Sequence, residues 1–145
     1  MITVAIVVEN PTVRDSLQAI LSLYPEYRCV GAWKPMEKEM DSLVARSPEV
    51  ILIDAELDGV AAVDCTAYLK RRLPSTSILV LIVYEDPDLV LRALQAGASA
   101  YLLKRSNPGQ VIDAISRVHR TGPIPAQETI TKGNQGLLKT PHLGS

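Results

Sequence analysis

Apolar runs that alternate with amphipathic segments constrain this chain most strongly. Residues 2–8 are almost continuously apolar and rich in β-branched side chains, as in a strand that is buried on both faces. The segment that follows opens with Asn10 and Pro11, which are typical of a helix start, and then carries apolar residues at helical spacing. The same alternation predicts strands over residues 2–8, 27–33, 50–54, 78–83 and 99–103, each followed by a helix. We therefore expect an α/β fold with a five-stranded parallel sheet and helices on both faces.

The length and charge of the chain indicate one soluble domain. The 145 residues include 47% hydrophobic residues and carry a formal net charge of −1, without the basic excess of a nucleic-acid binder. The sequence shows neither a secretory signal nor an apolar stretch of the ~20 residues that span a bilayer, so we expect a cytoplasmic protein. Cys29 and Cys65 are isolated, which favours reduced structural thiols. We predict one domain over residues 1–121 and a linker or disordered tail over 122–145.

Charged residues stand where three of the predicted strands end. Glu9 follows the first strand, Asp54 ends the third, and Lys104 follows the fifth. Ligands of open α/β sheets bind outside the carboxyl ends of the strands, so these side chains could share one pocket. Two carboxylates could hold Mg²⁺, while the Asp54 carboxylate attacks a phosphoryl group whose charge Lys104 neutralises. The alternative is solvated carboxylates with Lys104 as a salt-bridge partner, and we favour the shared site because three strand ends contribute.

Three stretches of sequence resemble the receiver domains of bacterial response regulators, most closely those of NarL/LuxR-type transcription regulators. They are AIVVENP at residues 5–11, PEVILID at 48–54 and ALQAGASAYLLK at 93–104. The resemblance covers roughly residues 2–120. It implies a flavodoxin-like (CheY-like), doubly wound sheet with the strand order 2-1-3-4-5.

The resemblance also implies roles for individual residues. Asp54 matches the phosphoacceptor and Lys104 the phosphate-binding lysine. Glu9 matches an acid that contacts Mg²⁺ directly, together with Asp54 and the backbone carbonyl of Glu56. Tyr101 matches the aromatic switch position of the fifth strand, although with its usual partner replaced we favour ordinary packing for this side chain.

Two positions depart from the pattern of the family. Val8 replaces the first acid of a pair, which removes one carboxylate from the metal side of the site. Ile82 stands where the family places a Thr or Ser hydroxyl that binds the phosphoryl group and pulls the switch. Isoleucine can make no such hydrogen bond, so we expect Mg²⁺ binding to be weakened and phosphorylation of Asp54 to be weak or absent.

These observations predict an atypical receiver domain of a two-component response regulator, a signalling module rather than an enzyme. The expected partners are a sensor histidine kinase or another protein and a second copy of the chain. DNA would be bound only through a separate domain that is absent from this chain. The resemblance implies that the face built from residues 86–120 is a dimerisation surface; candidate contacts there are Leu89, Leu91, Arg92 and Arg117.

Two other functions stay open. One is a conventional receiver in which Mg²⁺ and Lys104 suffice for activation by phosphorylation at Asp54. The other is a small-molecule-binding module or enzyme on the same scaffold. A glycine-rich phosphate loop and nucleophile–base pairs such as Ser–His are missing from the sequence, which makes the second alternative the weaker one.

Overall fold

The structure is a computed structural model that describes residues 1–55 and 59–122. Within those residues strands and helices alternate along the whole chain. They are β1 (Ile2–Val7), α1 (Pro11–Ser22), β2 (Tyr27–Trp33), α2 (Glu37–Arg46), β3 (Val50–Asp54), α3 (Val60–Arg72), β4 (Ser77–Ile82), α4 (Pro87–Ala96), β5 (Ala100–Leu103) and α5 (Pro108–Thr121). The predicted linker or tail, except Gly122, and Glu56 lie outside the described residues.

The strands form one parallel sheet in the order β2-β1-β3-β4-β5, which confirms the predicted fold class and strand order. The register is in step at the carboxyl ends, because Val7 pairs with Ile53, Asp54 with Leu81, and Ile82 with Leu103. The ends of β1, β3, β4 and β5 therefore open on one edge of the sheet.

Side-chain caps begin three of the helices at the places that the sequence predicts. The Asn10 side chain accepts hydrogen bonds from the first-turn amides of α1, and Asp86 does the same for α4. Asn107 and Gln110 form a reciprocal capping box at the start of α5. Gly97 ends α4 with φ at 120°, where a Cβ would lie 2.5 Å from Lys70 Cγ, so the turn there favours glycine.

The prediction that Leu89 contributes to a surface for dimerisation is wrong. Leu89 is 5% exposed and belongs to the buried stripe of α4. Its side chain packs on the backbone of Gly59, where an added Cβ would lie 2.3 Å from Leu89 Cδ1. Leu91, two positions further along the helix, is 41% exposed and points away from this contact.

The interior consists largely of the central strands and the helix faces that cover them. Every residue of β3 and β4 is buried.

Cys29 and Cys65 are free thiols, and burial raises the pKa of Cys65 to about 11. Among the described residues we find no helix with the length and apolar character needed to span a membrane.

Candidate functional site

The carboxylate of Asp54 is buried at the carboxyl end of β3. Asp54 as a whole is 2% exposed. Burial of a carboxylate costs free energy unless polar groups hydrogen-bond to it or an opposite charge pairs with it. Its position is fixed by the sheet, because Asp54 pairs with Leu81 and the next amide, that of Ala55, donates to Leu81 O at 2.7 Å. The carboxylate therefore has a defined place beside β4.

The structure brings Lys104 and Asp54 together. Lys104 Nζ lies 3.1 Å from Asp54 Oδ1 and 3.3 Å from Oδ2. The side chain of Lys104 is 23% exposed and that of Asp54 is not exposed at all, so the pair is largely shielded from water. An ammonium at this distance compensates the buried negative charge, and it can also approach an anion that is attached to the carboxylate.

Backbone hydrogen bonds fix the two strand ends that carry Lys104 and Ile82. The N–H of Lys104 donates to the carbonyl oxygen of Ile82 at 2.8 Å, directly after Ile82 pairs with Leu103. The Ile82 side chain is fully buried. The residue beside the lysine therefore presents only hydrocarbon to the interior and offers no hydroxyl to a phosphoryl oxygen.

Glu9 lies at the exposed end of β1, the strand next to β3. It lines a surface cavity of about 390 Å³ together with Arg14, Trp33, Lys34 and Glu39. This cavity lies on the β2 side of β1, whereas Asp54 is on the β3 side. The two carboxylates thus belong to neighbouring strand ends with different exposure.

Val8, the residue before Glu9, lines the same cavity. It is 4% exposed, and its N–H donates to Trp33 O at 2.8 Å, which continues the β1–β2 pairing by one residue. An apolar side chain fills this position, so no carboxylate stands there.

Among the described residues, the possible donors for Mg²⁺ at this edge of the sheet are few. In residues 1–55 and 59–122, no three His, Cys, Asp or Glu residues are grouped so that they could hold a metal ion. Asp54 and Glu9 offer carboxylates at adjacent strand ends, and Mg²⁺ commonly takes one or two carboxylates and keeps several waters. The backbone carbonyl of Glu56, a predicted ligand, lies outside the described residues.

Tyr101 points into the interior, and its hydroxyl is not at the surface. The residue is 1% exposed, and its Oη donates to Glu85 Oε2 at 3.3 Å. Sequence reasoning did not predict this contact. A buried tyrosine hydroxyl usually requires an acceptor, which is the one signal that points to such a partner.

Sequence reasoning also assigned no role to His119, which the structure places beside the Glu49 carboxylate at the opposite edge of the sheet. His119 Nε2 lies 2.8 Å from Glu49 Oε1, and Glu49 Oε2 accepts from the N–H of Thr3 at 3.2 Å. The hydrogen bond from His119, followed by those from Thr3, lowers the pKa of Glu49 despite partial desolvation. This carboxylate ties the end of α5 to the starts of β1 and β3.

Comparison with known proteins gives one consistent family. The family profile described as the response regulator receiver domain matches residues 4–116. The transcriptional regulatory protein DegU from Brevibacillus brevis is 31% identical over 121 residues, which are 83% of this chain and 51% of that protein. LiaR from Bacillus subtilis, also a transcriptional regulatory protein, is 32% identical over 123 residues, 85% of this chain and 58% of that protein. The chain thus spans about half the length of these relatives.

Solved structures give the same fold. The signal receiver domain of the response regulator NarL from Mycobacterium tuberculosis superposes with a TM-score of 0.74 at 26% identity, covering 82% of this chain and 96% of that one. A CheY-like receiver domain protein from Methanospirillum hungatei also gives a TM-score of 0.74, at 19% identity, over 83% of this chain and 95% of that one. The second likeness concerns the fold alone.

Proposed function

Because this chain belongs to the response regulator receiver domain family, we propose that it is an atypical receiver that signals by binding partners or by dimerising, with phosphorylation of Asp54 weak or absent. Receiver domains of two-component systems are signalling modules. This chain would differ from a conventional receiver because its conformation would not change with phosphorylation of Asp54.

The single observation that carries the proposal is the fully buried Ile82 beside Lys104. A hydrogen bond to a charged group contributes about 1.5–3 kcal/mol, and an isoleucine side chain cannot make one to a phosphoryl oxygen. A phosphoryl group on Asp54 would then contact the loop between β4 and α4 about equally in either of two loop conformations. Without such a difference it cannot shift the population between those states.

Any residual phosphoryl transfer would use Asp54 and Lys104. An oxygen of the Asp54 carboxylate would attack the phosphorus of a phosphohistidine or acyl phosphate. The bond from phosphorus to the donor breaks, and its electron pair leaves with the donor. Lys104 is close enough to move from the carboxylate to a phosphoryl oxygen and to offset the charge that develops there.

Mg²⁺ would be held by Asp54 and Glu9, with the Glu56 carbonyl as a further ligand, and would supply charge neutralisation at the phosphoryl oxygens. Val8 weakens this site, because it contributes no carboxylate to hold the metal or its water shell.

A sensor histidine kinase or another protein is the proposed partner, along with a second copy of the chain. The exposed Leu91 and the i,i+4 ion pairs Asp88–Arg92 and Asp113–Arg117 offer apolar and charged contacts on α4 and α5. We propose that DNA is contacted only through a separate domain, as the names of the relatives describe transcriptional regulators that are about twice as long.

The decisive experiment is intact-mass analysis after incubation with acetyl phosphate and Mg²⁺, run beside size-exclusion chromatography, with Asp54→Asn as the control. We expect little or no mass gain and one oligomeric state in all samples. A stoichiometric gain that Asp54→Asn abolishes, with a change of oligomeric state, would refute the proposal.

That refuting result would support the second candidate, a conventional phosphorylation-activated receiver. The observation in its favour is the Asp54–Lys104 pair, whose distances of 3.1 and 3.3 Å would suit an acceptor carboxylate beside a lysine that binds the phosphoryl group.

A further inference from the structure

The loop between β4 and α4 is held at several points. At its start, Ile82 O accepts from the Lys104 amide at 2.8 Å. At its end, the Asp86 side chain caps α4 by accepting from the Asp88 amide at 3.0 Å. Between them, Glu85 accepts the hydrogen bond from the buried Tyr101 hydroxyl. The loop is thus attached to β5 through both its backbone and a side chain.

We propose that Glu85 is a positioning residue that clamps the β4–α4 loop against Tyr101, so that the loop keeps one arrangement whatever the chemical state of Asp54. This inference rests on the proposed function and deepens it. In a chain whose position 82 cannot hydrogen-bond to a phosphoryl group, the contact between Glu85 and Tyr101 would set the arrangement of the loop.

The clamp follows from the burial of Tyr101. Its hydroxyl is enclosed in the protein, and loss of the hydrogen bond that it donates to Glu85 is destabilising. The side chain of Ile82, on the neighbouring strand, has no polar atom to offer in exchange. Movement of the loop would take Glu85 away from this hydroxyl, so the hydrogen bond opposes the movement.

The clamp also fixes what the loop presents to solvent. Tyr84 precedes Glu85 and is 73% exposed, while Glu85 itself is partly buried. Tyr84 lies in a bend, and the N–H of Asp86 donates to Tyr84 O at 2.9 Å, so holding Glu85 inward also holds the neighbouring Tyr84. An aromatic side chain is then displayed constantly at the entrance to α4, and its exposure does not depend on a switch.

Amide hydrogen exchange of the full chain, without any phosphoryl donor, tests the clamp. The variants are Glu85→Ala, Tyr101→Phe, their combination and the conservative Glu85→Gln, whose amide oxygen still accepts a hydrogen bond. Glu26→Ala, an exposed glutamate before β2, is the matched control. We expect Glu85→Ala and Tyr101→Phe each to speed exchange of residues 83–88 about tenfold, with β3 and β4 unchanged. The double variant should be no faster than either single one, and Glu85→Gln should resemble the unmodified chain.

Several outcomes would overturn the clamp. They are Glu85→Gln behaving like Glu85→Ala, a double variant whose effect is the product of the single effects, and loop exchange that does not respond to either single change. A further variant, Asp54→Asn, should leave exchange of residues 83–88 unchanged; a change there would show that the loop follows the state of position 54 and would also overturn the clamp. Since none of these arms uses phosphate, their failure is distinguishable from a failure of the acetyl phosphate experiment.

Discussion

The backbone N–H of Lys104 donates a hydrogen bond to the carbonyl oxygen of Ile82 at 2.8 Å, which fixes the lysine that reaches Asp54 to the residue at which the family resemblance implies a hydroxyl. The backbone of the site is therefore in place even where the side chain differs. A hydroxyl introduced at position 82 would arrive on a strand end that is already aligned with Lys104.

Ile82→Thr is expected to raise the rate of acetyl phosphate labelling at Asp54 about tenfold. The new hydroxyl can donate to a phosphoryl oxygen, and about 1.4 kcal/mol of transition-state stabilisation corresponds to a factor of ten. The same change should destabilise the fold by about 1–3 kcal/mol, because it places a polar group at a fully buried position. Time courses of intact mass and urea unfolding measure the two effects.

Ile82→Val is the matched control for that change, since valine has nearly the shape of threonine and carries no hydroxyl. We expect it to leave labelling at the low rate of the unmodified chain. Equal acceleration by valine and threonine would mean that the bulk of isoleucine, and not the missing hydrogen bond, limits the reaction.

Val8→Asp should tighten Mg²⁺ binding roughly tenfold, because it adds a carboxylate near Glu9 and the end of β3. Without metal it should lower the free energy of unfolding by roughly 1–3 kcal/mol, since Val8 is buried, and added Mg²⁺ should restore part of this loss. Trp33, the single tryptophan of the sequence, accepts the Val8 N–H hydrogen bond and gives a fluorescence signal for the titration. Val8→Asn is the uncharged control, and equal Mg²⁺ affinity in both variants would contradict the prediction.

The fold could be predicted from the sequence because its signals are local. Continuous apolar runs identify the buried strands, and Asn10, Asp86 and Asn107 begin their helices where expected. The bounds of β2 and β3 agree with the prediction. The fourth strand, predicted over residues 78–83, spans Ser77–Ile82 in the structure. Its bounds are shifted by one residue because strand ends depend on hydrogen bonds to neighbouring strands.

The site was less predictable where contacts join distant residues. Of the three consecutive apolar residues that begin at Leu89, the structure buries Leu89, which packs against Gly59, and leaves Leu91 41% exposed. The Glu49–His119 pair joins residues separated by 70 positions, and no periodicity indicates it. The predicted strand order was enough to place Asp54 and Lys104 near one another. The direct contact between their side chains could be established only from the structure.

Lys104→Met is expected to lower the free energy of unfolding at pH 7 by about 3 kcal/mol, because it leaves the buried Asp54 carboxylate without its ammonium partner. Combining it with Asp54→Asn should recover much of that loss, since the charge that needs compensation is then removed. Urea denaturation of the two single variants and the double variant gives the coupling energy. Lys38→Met, at an exposed position of α2, controls for removing a lysine. Additive losses in the double variant would contradict the pairing.

The Glu49–His119 pair predicts a specific acid dependence of stability. The pKa of Glu49 in the folded chain is below its ordinary value of 4.5, mainly because of the hydrogen bond from His119. A carboxyl group with a lowered folded-state pKa stabilises the fold above its unfolded pKa, and this contribution is lost as pH falls through the lower folded value. Because Glu49 is 45% exposed, solvent screening limits the contribution to about 1 kcal/mol or less.

Urea unfolding between pH 7 and pH 3 tests this dependence. Glu49→Gln should be less stable than the unmodified chain at pH 6, and the difference should shrink as pH falls below about 4.5 and the unmodified chain protonates its carboxylate. In a chain that carries His119→Gln, the stability difference between Glu49 and Glu49→Gln should be smaller, since the main cause of the lowered pKa of Glu49 is then removed. Glu26→Gln, which changes an exposed glutamate at the amino end of β2, should leave the profile unchanged. A gap between Glu49→Gln and the unmodified chain that stays constant down to pH 3 would mean that the ionisation of Glu49 does not contribute to the stability of the end of α5.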